Sequence, residues 1–323
     1  MSKVGVVLRF IRLKRSRNCQ DLRTMYAESK KSKKCNKKRK KGIDSGKEIG
    51  YNMYNFICRS EMVMQAGLNL FSIRSLLQTE EEFLSTALKL KELGYSYMQF
   101  SGAPYDADKI ARVSKASEMP IYLTHVPMDR IINETEKLME EHDKFGCKNI
   151  GLGMMPLATL TDDTAFKKTV EDLNRAGECM QKNGFAFFYH HHHYEFLKTA
   201  NNQTYIEYML KNAPYIQFTA DTYWLQYGGV NVLEFLDKLK GRMGCVHLKD
   251  YRMLLQKDDD GNPTGAIPKF APVGDGTIDF ASVVAKMKQL GVEYYFVEQD
   301  DAVTYPDPIE QVARSIKYIQ KEL

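Results

Sequence analysis

At 323 residues the chain has room for one α/β barrel of roughly 250 residues plus an extension. Its formal charge of +5 joins two unlike pieces: residues 1–60 carry 18 Lys or Arg against 4 Asp or Glu, and residues 61–323 carry 28 against 37. Six cysteines with neither CxxC nor close spacing exclude a zinc ribbon or a disulfide framework and fit a reducing cytoplasm. The acidic body speaks against a nucleic-acid enzyme, which needs a basic face for phosphates.

Val4 to Phe10 is apolar but interrupted by Arg9 and too short to span a bilayer. The run Lys30 to Lys41 (KKSKKCNKKRKK) repels itself and is expected to be disordered in water. Residues 1–64 therefore read as a basic extension or translated leader, with the working protein starting near Met62 or Met64. Residues 65–323 read as the catalytic domain.

From Gly67 onward short β-type runs alternate with amphipathic helices. LNLFSIR (68–74) predicts the first strand, and Thr79 with Glu82 forms a capping box opening a helix that ends near Gly94. YSYMQFSG (95–102) is the second strand, followed by a helix over 106–117. IYLTHVP (121–127) is the third, then a charged helix over 133–145. NIGLGMMP (149–156) leads to a long helix over 162–183. FAFFYHHHH (185–193), a helix over 205–212, IQFTADTYW (216–224) and a helix over 232–240 continue the beat. CVHLKDY (245–251), an irregular stretch over 252–279 with a hairpin tip at KDDDGNPTG, a helix over 280–290, EYYFVEQD (293–300) and a helix over 308–323 complete it. Eight strands alternating with eight helices predict a parallel sheet closed into a (β/α)8 TIM barrel. The long connection at the catalytic face reads as a lid or pocket wall.

In this fold chemistry gathers at strand C-termini. Asp221, His247 and Glu298 end the sixth, seventh and eighth strands, and carboxylate plus imidazole suits one divalent metal ion: Mn²⁺ first, with Zn²⁺, Co²⁺, Mg²⁺ or Fe²⁺ as alternatives. The fifth strand offers His190 as a fourth ligand, or Glu195 just beyond it. Alternation puts His190 and His192 on one face, His191 and His193 on the other. Lys249 follows His247 by two residues, so it shares its side, as an oxyanion stabiliser, a base, or a salt-bridge partner of Asp250 or a neighbouring carboxylate. His125 is a candidate acid/base, and His142 on its polar helix reads as surface. His192, Trp224, Tyr251 and Gln299 are candidate substrate contacts, and Tyr223, Tyr227 and Phe71 could add aromatic wall. Gly274 and Gly276 could approach a phosphate or form a turn closing the long loop.

The motifs YHHHHYEF (189–196), FTADTYWLQYGG (218–229), GRMGCVHLKDY (241–251), PVGDGTIDF (272–280), VEQD (297–300) and THVPMDRI (124–131) occur in an order that resembles the xylose-isomerase-like barrel superfamily, specifically the bacterial sugar phosphate isomerase/epimerase group. The resemblance covers about Gly67 to Leu323. It implies a divalent metal held by Asp221, His247, Glu298 and a fifth-strand residue. It further implies an isomerase or epimerase that takes a proton from beside a carbonyl, with Glu298 as base. Epimerases of the superfamily carry a glutamate on the fifth strand, where this chain has His190. Inosose dehydratases share the histidine-rich strand, so a lyase acting on an inosose or 3-keto-sugar is the alternative. The expected partner is a small-molecule sugar or polyol, with neither nucleic acid nor membrane, and a homo-oligomer stays open.

Overall fold

The computed structural model describes residues 65–323; the segment 1–64, expected to be an extension or leader, lies outside the described residues. Ten strands follow one another: β1 (Gly67–Asn69), β2 (Tyr97–Phe100), β3 (Ile121–His125), β4 (Asn149–Leu152), β5 (Ala186–His190), β6 (Ile216–Asp221), β7 (Met243–Leu248), β8 (Asp250–Lys257), β9 (Pro263–Ala271) and β10 (Tyr294–Val297). Eight close into a parallel barrel in the order β1-β10-β7-β6-β5-β4-β3-β2, and β8 with β9 form a separate antiparallel ribbon. The fold is thus the (β/α)8 barrel that the alternation predicts.

Local chemistry sets the helix ends. Thr79 and Glu82 make the capping box of α1 (Glu80–Leu93), and Gly94 ends it at φ 100°, where a side chain would be strained. Asp106 and Asp162 cap α2 (Ala107–Ser117) and the long α5 (Asp163–Lys182) through their carboxylates. Between these two, the helix expected over 133–145 is α4 (Thr135–Asp143), and a short helix that the sequence reading does not include, α3 (Met128–Asn133), precedes it across a break at Glu134. The Arg130 guanidinium spans the break by donating to Glu134 and Glu141. The remaining helices are α6 (Tyr205–Asn212), α7 (Thr222–Tyr227), α8 (Val232–Lys238), α9 (Phe280–Leu290) and α10 (Pro308–Glu322).

Three expectations need correction. The first strand stops after three residues because the Asn69 side chain accepts from Phe71 N and starts a 3-10 turn over Leu70–Leu76. The stretch after β7 is not irregular: its register runs from Asp250↔Ala271 to Lys257↔Pro263, with a tip in which Asp258 accepts from the amides of Asp260 and Asn262. His142 is not a surface residue. It is fully buried on α4, bonded to Thr124 Oγ1 at 2.7 Å and to the Leu138 carbonyl at 2.6 Å.

The core has two parts. Phe83, Phe166, Phe187, Tyr189, Phe218 and Phe280 fill the layer between barrel and helices, while Tyr97, Leu123, Phe188, Cys245 and Phe296 plug the barrel itself. Among the described residues no helix is long and apolar enough to cross a membrane.

Candidate metal centre

Parallel strands in register bring their C-terminal residues to one rim. Asp221 pairs with His247 across β6 and β7, and Glu298 follows β10 directly, its amide donating to the Leu248 carbonyl. His190, Asp221, His247 and Glu298 are all buried, and each offers one ligand atom within 4.8 Å of the others. His190 Nε2 lies 3.3 Å from Asp221 Oδ2 and 4.0 Å from Glu298 Oε2; His247 Nδ1 lies 3.7 Å and 2.8 Å from the same two oxygens. Donors about 2.1 Å from one ion stand roughly 3 to 4 Å apart, so this group could bind a metal.

Each inward atom is backed by a bond to the outward atom of the same side chain. His190 Nδ1 donates to the Gly153 carbonyl at 3.0 Å, and His247 Nε2 donates to Gln99 Oε1 at 2.8 Å. Asp221 Oδ1 accepts from Trp224 N at 2.9 Å, and Glu298 Oε1 accepts from Asn69 Nδ2 at 2.6 Å. Such outer bonds fix imidazole tautomers and aim lone pairs, as around bound metals. The arrangement leaves His190 Nε2, Asp221 Oδ2, His247 Nδ1 and Glu298 Oε2 facing one point.

Two carboxylates buried this close demand positive charge. Burial opposes ionisation of Glu298, but Lys249 and His247 outweigh it and hold its carboxyl well below the usual range; Asp221 is lowered against burial by Lys249 and the two histidines. Burial likewise opposes charge on His247, yet Glu298 and Asp221 raise it to about 9. Lys249, 1% exposed, has Nζ 3.3 Å from Glu298 Oε2, 3.8 Å from Asp221 Oδ2 and 2.7 Å from Asp300 Oδ1. These carboxylates overcome burial and keep its ammonium charged, so it stands as a donor and not as a base. Of the salt-bridge partners expected for it, the neighbouring carboxylates of Asp300, Glu298 and Asp221 are the ones it meets, and Asp250 is not.

Asp250 serves the backbone instead. Its carboxylate accepts from the amides of Gly274, Gly276, Thr277 and Ile278, so the GxG segment is a turn closed by the chain's own anion. That turn fastens the ribbon beside the mouth. Phe270 on β9 packs against Tyr223 and Trp224, and Lys249 Nζ lies 5.2 Å from its ring and 4.8 Å from that of Trp224. His192 and His193 reach the Trp224 ring at 5.0 Å each, and His192 stands 4.6 Å from His190. His191 turns away and accepts from Asp221 N.

Other candidates are placed elsewhere. Glu195 does not join the four ligands, because the turn after β5 locks its carboxylate onto the Tyr189 hydroxyl at 2.5 Å and His192 N at 2.8 Å. Tyr251 sits at the ribbon base, its hydroxyl accepting from Gln226 Nε2. Gln299 is buried beside Glu298, with its amide nitrogen on Asp301. His125 lies near His190, and both its nitrogens are engaged: Gln99 Nε2 is 2.8 Å from Nε2 and Ser101 Oγ is 3.2 Å from Nδ1. Burial lowers its pKa well below the ordinary value, leaving a neutral ring. Asn69, Gln99, Ser101, Phe270 and Asp300 also belong to the site, although the sequence did not single them out. Gln99 carries a usable signal, since it is a polar residue near the end of a strand that the sequence marks.

Comparisons with known proteins agree with this geometry. A family model described as Xylose isomerase-like TIM barrel matches residues 88–322. An inosose dehydratase of Clostridium perfringens is 27% identical, over 86% of this chain and 92% of its own length. Two solved structures share the fold. A sugar phosphate isomerase/epimerase from Parabacteroides distasonis has a TM-score of 0.65 at 21% identity, covering 80% of this chain and 94% of that one. A xylose isomerase-like barrel protein from Mycobacterium smegmatis, solved in complex with magnesium, has a TM-score of 0.58 at 12% identity, covering 80% and 96%. A family match over more than two-thirds of the chain, on a closed barrel with a buried His/Asp/His/Glu group at its mouth, places this protein in the Xylose isomerase-like TIM barrel family.

Proposed function

We propose that this protein is a divalent-metal-dependent lyase that removes water from a polyhydroxylated ring ketone of the inosose type. The observation that carries the reading is His190: the fifth-strand position holds an imidazole in the four-ligand group, so the fifth strand supplies no carboxylate to that group as a partner for Glu298. Epimerisation takes a proton from one face of a carbon and returns it on the other, which calls for two acid/base groups on opposite sides. Elimination needs one base and one acid near each other. The curated relative named inosose dehydratase supports the same choice.

His190, Asp221, His247 and Glu298 would hold the ion, and a bound cation supplies polarisation of a carbonyl oxygen and a grip on the neighbouring hydroxyl. The donor set admits Mn²⁺ and its neighbours, and magnesium is the ion in the Mycobacterium smegmatis relative. Glu298 takes the proton from the carbon beside the carbonyl. The Lys249 ammonium donates a proton to the departing β-hydroxyl, which leaves as water as its C–O bond breaks. The 3.3 Å between Lys249 Nζ and Glu298 Oε2 lets the abstracted proton pass to the amine, restoring both groups with no other reactant consumed. His125 acts from behind, through Gln99, by holding His247 in orientation.

A second reading, a sugar isomerase or epimerase, is favoured by the shared fold of the Parabacteroides distasonis protein and uses the same first proton transfer. One assay separates them. Incubation with an inosose in D2O under Mn²⁺ is expected to give a new enone absorbance. Exchange of the C–H proton without that absorbance would move the assignment to the isomerase class, and absence of both would sink proton abstraction altogether.

A further inference from the structure

Beyond its base, the ribbon of β8 and β9 takes no part in the mouth. From Arg252 to Lys257 on β8 and from Pro263 to Ile267 on β9 every residue is exposed, and the two strands form a sheet by themselves. A two-stranded ribbon is marginal in water, and further strands or a packed face are what stabilise it. Large apolar side chains nonetheless stand there: Met253, Leu254, Leu255 and Ile267 are between 41% and 55% exposed. Of the other exposed large apolar side chains among the described residues, Met154, Leu157, Leu197 and Tyr227 lie just after β4, β5 and β6, on the rim beside the ribbon, and only Leu88 lies on a flanking helix. Ala200 N donates to Asp163 and Gln226 Nε2 donates to the Tyr251 hydroxyl, which joins these loops to one another and to the ribbon base. Uncovered apolar surface is thus gathered on one side of the rim, as at an interaction face.

The two edges of the ribbon differ. β9 contains Pro263 and Pro268, which lack an amide hydrogen, and proline guards an edge strand against pairing. β8 contains no proline, and Met253 to Gln256 carry no charge. Pro268 stands opposite Met253, and because it cannot donate, this pair is one of the non-bonded pairs of the ladder. Alternation then turns the N–H and C=O groups of Met253 and Leu255 outward to the open edge, ready for another strand. Charge selects that strand. Arg252 and Lys269 face each other across the base of the ribbon, an unfavourable like-charge pair. Lys269 has Asp301 at 3.9 Å, whereas Arg252 has no carboxylate within ion-pair range among the described residues. The far end carries Asp258, Asp259 and Asp260. In an antiparallel pairing the base of one ribbon runs beside the tip of the other, so a second copy of this chain brings acid to each Arg252. With the two-fold axis at Leu255, Leu255 meets its own counterpart, Met253 meets Lys257, Arg252 meets Asp258, and the last two contacts occur twice.

We propose that β8 is the dimerisation edge of this protein: two copies join their ribbons antiparallel about Leu255 into one four-stranded sheet, with Arg252 of each copy against Asp258 of the other. One strand edge covers less than the roughly 800 Å² per partner of a stable dimer, and the apolar rim beside the ribbon supplies the remainder.

Sedimentation equilibrium of the full-length protein reads association without reference to turnover. The native chain is expected to be a dimer at micromolar concentration. Arg252→Asp and Asp258→Arg each set like charges together twice and are each expected to weaken association about tenfold or more. Mixed in equal amounts, the two variants should recover native affinity, because both contacts of the mixed dimer again join opposite charges. A variant that failed to fold could not produce that recovery. Leu255→Pro removes the outward donor at the axis and is expected to be monomeric with an unchanged circular dichroism spectrum, while Leu88→Asp, away from the rim, stays dimeric. A monomeric native chain would overturn the proposal and leave the edge to residues 1–64 or to a different protein. Assembly past the dimer, a dimeric Leu255→Pro, loss of the dimer in Leu88→Asp, or a mixture no tighter than its components would overturn it as well.

Discussion

Midway up the barrel, the inward residues of β2, β3, β5, β7 and β10 include Tyr97, Leu123, Phe188, Cys245 and Phe296; two residues later on the same chain segments stand Gln99, His125, His190, His247 and Glu298. A side-chain period of two keeps both sets on the inner face, so a rise of under about 7 Å separates a dry plug from a charged mouth. The lower level is held by ring packing: Tyr97 meets Phe296 edge-on at 5.2 Å, and Tyr122 stacks on Tyr294 at 3.6 Å. Gly67 belongs to this level too, because a Cβ there would run into the Tyr97 and Phe296 rings. The upper level is held by charge, with Lys249 beside two carboxylates. The plug excludes water beneath the mouth and so strengthens the electrostatics above it. Packing and chemistry are divided by height within one barrel.

The division can be broken from either side. Asp221→Asn and His247→Ala remove ligands from the upper level. Each is expected to lower metal-dependent turnover by several kcal/mol of barrier, about a thousandfold or more. Bound metal falls below one equivalent while the circular dichroism spectrum is kept. Phe188→Ala acts on the lower level, where truncating a buried ring costs about 3–5 kcal/mol of stability. Urea unfolding should show that loss, and the folded fraction should still bind one metal per chain. A Phe188→Ala protein of full stability that no longer bound metal would mean the two levels are not separable.

The upper level was more legible in the sequence than its surroundings. Asp221, His247 and Glu298 could be read because each is a potential ligand ending an apolar run, and apolar runs mark strands. The ribbon tip was legible from its Asp and Gly residues. Asn69 was hidden because LNLFSIR looks like one long strand; the Asn69 carboxamide, by capping the next turn, ends the strand at the residue that supports Glu298. Glu195 could not be separated from His190 by sequence, since its distance from the mouth depends on a turn closed by the Tyr189 hydroxyl. The polar helix around His142 conceals, at the level of sequence, one buried face that meets Thr124 on the outside of β3.

His142 also sharpens the comparison, because it is a buried histidine outside the mouth. Burial lowers it to about 4 from the ordinary 6.5. The unfolded chain therefore binds a proton between these values that the folded chain refuses, and stability is lost as pH falls from 6.5 toward 4. At about 1.36 kcal/mol per unit this site contributes about 3 kcal/mol across the window, and about 2 kcal/mol between pH 7 and pH 5. Urea unfolding of the native protein and of His142→Gln at both pH values isolates the site from the other histidines. The variant should be less stable at pH 7 but should lose about 2 kcal/mol less on moving to pH 5. Equal losses in the two proteins would place the His142 proton in the folded state.

The smallest effect tests whether the outer bonds of the upper level orient ligands or only fill space. Asn69 Nδ2 donates to Glu298 Oε1 and Gln99 Oε1 accepts from His247 Nε2, so both act on the ion through a ligand. Asn69→Leu and Gln99→Leu preserve approximate volume and remove those bonds, and a loss of about 10–100-fold in metal affinity is expected for each. Volume alone would predict the same mild result for any replacement at position 99. Orientation predicts opposite signs: Gln99→Glu puts a carboxylate behind the His247 N–H, makes the inward nitrogen more basic, and should match or tighten native affinity, while Gln99→Leu weakens it. Calorimetric titration with Mn²⁺ reads both. If Gln99→Glu and Gln99→Leu weakened the metal to the same degree, Gln99 would be packing for the mouth in the way that Phe188 is packing for the plug.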